Sequence, residues 1–177
     1  MKKLFLAASG LFAAIPGIAV IGKGIGTPPN YEILFGGVIE AFGTLSLLVL
    51  WANRNKLKKI KTPRITKLVI RLGVLSFISL IIYIGLFKYC VISHPTHDTA
   101  YFPLWTSGEL AKYVERTGGR WAALERYGIY PIESAIQKMP PYAIIITTAL
   151  LLFMYQMIFT SLTVAFGLLG FHKGKSF

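Results

Sequence analysis

The sequence predicts an all-α integral membrane protein with four transmembrane helices and a cap of short helices between the third and the fourth. Three observations carry that prediction. The chain is 54% hydrophobic and only 15% charged over 177 residues, too little charge to cover a soluble domain of that length. Its apolar residues come in blocks long enough to cross a bilayer. Its lysines and arginines gather in alternate connections, as in multi-pass membrane proteins. The net charge of +12 would also fit a nucleic-acid binder. Its cations, however, are not interleaved with aromatics and no glycine-rich phosphate cradle accompanies them, which disfavours nucleic acid.

The first span is read at residues 4–22. Two lysines and an apolar run resemble a signal peptide, but no A-x-A-type cleavage site follows. The uncharged run also exceeds the usual signal core of about 7–15 residues. A retained helix is expected. The second span, residues 31–52, places Tyr31 and Trp51 about 30 Å apart, one aromatic for each membrane interface. The basic loop 53–67 follows, and then the third span, residues 68–92, with Arg71 and Lys88 near its ends, where long side chains can snorkel. The fourth span, residues 141–170, opens at Pro140–Pro141, since proline is tolerated in a first helical turn.

With an even number of spans, Lys2, Lys3, Lys173, Lys175 and the cations of the basic loop all fall on one side. The positive-inside rule makes that side cytoplasmic and predicts a multi-pass protein of a bacterial inner membrane with both termini inside. Arg54, Lys56, Lys58, Lys59, Lys61 and Arg64 then face anionic headgroups or a cytoplasmic protein partner.

The loop 93–140 lies outside in this threading. Thr106 and Glu109 have capping-box spacing. "ELAKYVERT" reads as a helix ending at Gly118–Gly119, "RWAALERY" as one ending at Gly128, and Pro131 opens a third, "IESAIQKM". Such short amphipathic helices fit a cap on the outer membrane surface. Just before them, His94, His97 and Asp98 in "HPTHD" carry donor atoms suited to Zn²⁺, a weak signal because a fourth ligand is not in view. Cys90 is the only cysteine, so an intramolecular disulfide is excluded and an inert apolar thiol is expected. No cofactor is implied.

Glu40 stands inside the second span, and an intramembrane ionisable residue is a functional candidate by default. Helical spacing puts it beside Gly36, Gly37, Gly43 and Thr44, a small-residue stripe that invites close helix packing. The first span offers a matching stripe, Gly10, Ala14 and Gly17. At similar depth the third span supplies Tyr83, with Lys88 nearer the surface. The fourth carries a polar row, Thr148, Gln156, Thr160 and Thr163, fit either for hydrogen-bonded helix packing or for the wall of an aqueous path. Four spans leave little room for a path within one copy, so a homo-oligomer is expected. "GIAVIGKGIG" and "GVIEAFGTLSLLVL" resemble the glycine-rich and acid-bearing helices of proton-translocating rotor-ring subunits. That resemblance covers the first two spans alone. It implies a shared physical solution, a carboxylate on a small-residue seam, without membership of that family.

These residues lead to a small oligomeric channel or membrane-permeabilising subunit with Glu40 near its path. One alternative is a non-conducting scaffold or sensor that recruits a cytoplasmic partner through the basic loop. The other is a membrane enzyme using His94, His97 and Asp98. No nucleophile motif or cofactor fingerprint favours an enzyme.

Overall fold

The structure, a computed structural model, describes residues 26–94 and 97–173, with the side chains of His94, His97, Asp98, His172 and Lys173 outside that description. The span expected at residues 4–22, with Gly10, Ala14 and Gly17, therefore lies outside the described residues. The chain is mostly helical, and three of its helices are long and apolar enough to cross a membrane.

Helix α1 (Glu32–Ala52) matches the second expected span. A turn precedes it, with Asn30 at φ 68° and the Tyr31 amide donating to the Pro28 carbonyl at 3.1 Å. Asparagine tolerates that left-handed backbone better than most residues. After α1 the Asn53 side chain donates to the Val49 carbonyl at 2.9 Å, satisfying one of the acceptors a helix end leaves open. A single turn, α2 (Arg54–Leu57), leads to α3 (Thr62–Cys90). Helix α3 begins six residues before the hydropathic boundary at 68, because Pro63 sits well in a first turn and Thr66 and Lys67 do not oppose helix.

One expectation needs correction. The chain is not all-α: β1 (Val91–His94) and β2 (His97–Tyr101) form an antiparallel hairpin. Val91 pairs with Tyr101 and Ile92 with Ala100, and an irregularity intervenes before His94 pairs with His97. The β-branched Val91, Ile92 and Thr99 favour strand. Their short apolar run is indistinguishable by hydropathy from the end of a span.

Three short helices follow, α4 (Gly108–Thr117), α5 (Arg120–Tyr127) and α6 (Ile129–Gln137). Ser107 is the N-cap of α4, and Glu109 reaches Lys138 and Tyr113 instead of closing a capping box with Thr106. Gly118, at φ 80°, ends it in a left-handed cap, with the Gly119 amide donating back to Val114. Helix α7 (Pro141–Lys173) has 33 residues, about 50 Å of helix.

The chain divides into two compact units. In the first, residues 33–82 and 154–173, α7 packs against both α1 and α3. A row one turn apart on α1, Phe35, Ile39, Gly43 and Leu47, is buried. Phe35 meets Tyr155 with ring centroids 5.2 Å apart. A Cβ on Gly167 would lie 2.6 Å from Leu50 Cδ1, so the Leu50 side chain of α1 packs directly over this glycine of α7. The Ser76 hydroxyl donates to the Ile158 carbonyl at 3.1 Å, tying α3 to α7. Only 17% of the apolar stretch of α1 and of α3 is buried, against 39% for α7. A soluble helix bundle would hide far more apolar surface.

The second unit, residues 27–32 and 83–153, has its own core. Ala100 and Phe102 from the hairpin and its exit, Leu110, Ala123, Leu124, Ile132 and Ala135 from the short helices, and Ala143 from α7 pack together. The short helices thus form a folded unit around shared apolar side chains, not separate surface segments.

Candidate functional site

Glu40 lies on α1 next to the buried row, not in it, and its side chain is exposed. Among the described residues no hydrogen bond or ion pair reaches it; the single ion pair found there joins Lys138 to Glu109. A Cβ at Gly36, Gly37 or Gly43 would meet no described side chain within 4 Å. The helix expected to fill that seam, with Gly10, Ala14 and Gly17, is outside the described residues. What remains on α1 is a carboxylate in a helix that also exposes Phe42, Leu45 and Leu48.

The polar row of α7 behaves differently. Gln156 Nε2 donates to Thr160 Oγ1 at 2.6 Å, and Thr163 is buried. Gln156 Oε1 is buried without a hydrogen-bond partner among the described residues. In the second unit Thr148 shares a 2.9 Å hydrogen bond with the Tyr101 hydroxyl. Burial pushes the Tyr101 phenol up to about 12, against the opposing effect of that hydrogen bond. Tyr83 is fully buried and stacks on Phe87 with centroids 5.8 Å apart, and Lys88 is exposed.

The basic segment is as open as its composition suggests. Lys56, Lys58, Lys59, Lys61 and Arg64 are exposed, and Arg54 stacks over Trp51 at 4.6 Å, a cation–π contact beside the end of α1. The hairpin sets the backbones of His94 and His97 opposite one another. Their side chains and that of Asp98 fall outside the described residues, and no group of three metal-ligating residues occurs among those described.

Sequence reasoning missed Arg120. The structure buries it, 8% exposed. Its guanidinium donates to the Tyr89 carbonyl at 3.1 Å and to the Leu104 carbonyl at 2.9 Å. It packs over the Tyr89 ring at 3.9 Å and lies beside Cys90. The Tyr89 carbonyl belongs to the last turn of α3, where helix carbonyls lack intrahelical partners and a cation is favoured by the dipole. Thr147 is buried and bonded within the second unit: its hydroxyl accepts from the Leu104 amide at 2.8 Å and donates to the Ala143 carbonyl at 2.7 Å. The one sequence signal for Arg120 is its position directly after Gly118–Gly119, at the first residue of α5.

On the surface of the second unit, Lys138 bonds Glu109 at 2.8 Å. That hydrogen bond, with a further one from Tyr113, holds the Glu109 carboxyl below the usual carboxylate range, and the same contact raises Lys138. Both groups are exposed, which fits a peripheral tie between α4 and the end of α6.

Comparison with known protein families, with curated proteins and with solved structures finds no match.

Proposed function

We propose that this chain is a multi-pass protein of a bacterial inner membrane, with four spans counting residues 4–22, that assembles from several copies and passes an ion or proton beside Glu40. The observation that carries this reading is an exposed carboxylate within an apolar helix, unpaired among the described residues. A carboxylate at mid-membrane costs about 2.5–3.5 kcal/mol even on the mildest scales. Water, a polar group of the first span, or a neighbouring copy must therefore cover it, and each places a polar seam along α1. The row on α7 supports this division of labour. Its Gln156 and Thr160 bond each other within α7, and Thr148 bonds Tyr101 of the hairpin, so these groups find partners inside one copy. The proposed path therefore follows α1, where the carboxylate has no partner among the described residues.

Orientation follows from charge. The cations between Arg54 and Arg71 have no acid among them, which places that segment and both termini inside and the short-helix unit outside.

The test is ion flux through liposomes holding the native protein or its Glu40→Gln variant. Flux that the variant reduces or makes less cation-selective, at unchanged oligomer size, is the expected result. Native protein that is folded, inserted and silent, or a variant indistinguishable from it, would overturn the reading and favour a scaffold.

A further inference from the structure

We propose that the first turns of α3 hold the phosphate of an anionic phospholipid. Thr62, Pro63, Thr66, Lys67, Ile70 and Arg71 line one open depression of about 640 Å³. Lys67 and Arg71 are one helical turn apart, so both cations reach the same place, with the Thr66 hydroxyl beside them. Neither has an acidic partner among the described residues. The sequence offers none nearby, since no aspartate or glutamate occurs between Glu40 and Asp98. Exposed Lys56, Lys58, Lys59, Lys61 and Arg64 add to the same positive field.

Two ligand sources share this chemistry, a free phosphate and a lipid headgroup, and the helix face decides between them. At helical spacing Lys67, Ile70, Arg71 and Val74 lie on one side of α3, and Ile78 and Ile81 continue it. Ile70, Val74, Ile78 and Ile81 are all exposed. The cationic depression thus runs directly into an uncovered apolar stripe within a helix fit to cross a membrane. A phospholipid uses both parts, its phosphate among Lys67, Arg71 and Thr66 and its chain along the isoleucines; inorganic phosphate uses only the first. The inference rests on α3 crossing a membrane. It is independent of conduction past Glu40 and is measured without flux.

The experiment offers full-length protein in neutral detergent either phosphatidylglycerol or phosphatidylcholine and counts phospholipid retained after gel filtration. The native protein is expected to retain phosphatidylglycerol selectively. The Lys67→Gln/Arg71→Gln pair, with an unchanged elution volume, should weaken that retention roughly thirtyfold and leave phosphatidylcholine unaffected. The charge-keeping Lys67→Arg/Arg71→Lys pair should restore it. Replacing Lys56, Lys58, Lys59 and Lys61 by glutamine should weaken retention less than the α3 pair does. Equal retention of both lipids, an undiminished preference in the glutamine pair, or a greater loss from the loop variant would overturn the proposal. So would inorganic phosphate displacing the lipid as effectively as added phosphatidylglycerol, which would assign the depression to free phosphate.

Discussion

Replacing Arg120 by methionine removes a buried cation while keeping most of its packing volume. Two hydrogen bonds are lost, to the carbonyls of Tyr89 and Leu104 at 3.1 and 2.9 Å. Bonds from a charged donor contribute about 1.5–3 kcal/mol each. The contacts over the Tyr89 and Phe102 rings, at 3.9 and 5.7 Å, add about 0.5–2 kcal/mol. Those bond values are already net of water; replacing the buried charge by a packed apolar chain recovers about 1–4 kcal/mol, which offsets part of the loss. The net expectation is a destabilisation of about 2–4 kcal/mol, confined to the second unit. The measurement is urea-dependent proteolysis within residues 102–140 of the detergent-solubilised protein, which reads the free energy of local opening. Arg120→Lys keeps the charge but cannot fork between two carbonyls, so it should fall between native and methionine. A methionine variant within about 0.5 kcal/mol of native, or more stable, would refute the argument. Desolvation would then cancel everything the guanidinium gains at the end of α3.

At the contact of α1 with α7, Gly167→Ala should be mild, because the atom its Cβ meets is the end of the Leu50 side chain. Gly167→Leu cannot be accommodated by one rotamer change and should cost about 1–3 kcal/mol, seen as a lowered melting temperature in detergent. Ser76→Ala removes the bond to the Ile158 carbonyl and should cost about 0.6 kcal/mol, the average for such bonds in membranes; a loss above about 2 kcal/mol would mean that it does more than join two helices. Thr147→Val leaves the Leu104 amide without its acceptor, at about 1–3 kcal/mol, and should speed exchange of that amide. The Glu109–Lys138 tie sets a pH dependence whose sign follows from its shifts. The depressed Glu109 group contributes fully above its unfolded value, 4.5, and that contribution is lost as pH falls through the lower folded value. The raised Lys138 group contributes below 10.5 and loses its contribution as pH rises beyond that. Lys138→Gln should flatten both limbs of a pH profile of local opening, and high salt should do much the same.

The long helices are legible in the sequence because bilayer thickness and the hydrophobic effect act on local composition. A run such as Leu45–Leu50 needs no partner to declare itself apolar, and α1 and α7 appear close to their expected bounds. The short helices are legible for a related reason, since Gly118, Gly128 and Pro131 punctuate them through backbone sterics. Glu40 also stands out from sequence alone, because a carboxylate inside an apolar run is costly unless water or a polar partner covers it.

Tertiary structure decides the remainder. The hairpin Val91–Tyr101 is hidden from hydropathy because its strands extend an apolar run that α3 has already begun. Arg120 and Glu109 look alike in sequence, two charged residues in a polar loop, yet one is buried and the other exposed. The difference is that Arg120 meets the open carbonyl of Tyr89, 31 residues away, and no local pattern encodes a contact over that separation. Likewise Thr147 and Ser76 gain their roles only when Leu104 and Ile158 are brought beside them. Local chemistry determined which segments are helical and which belong in a membrane; which polar groups are buried, and against what, was settled only by the packing of distant elements.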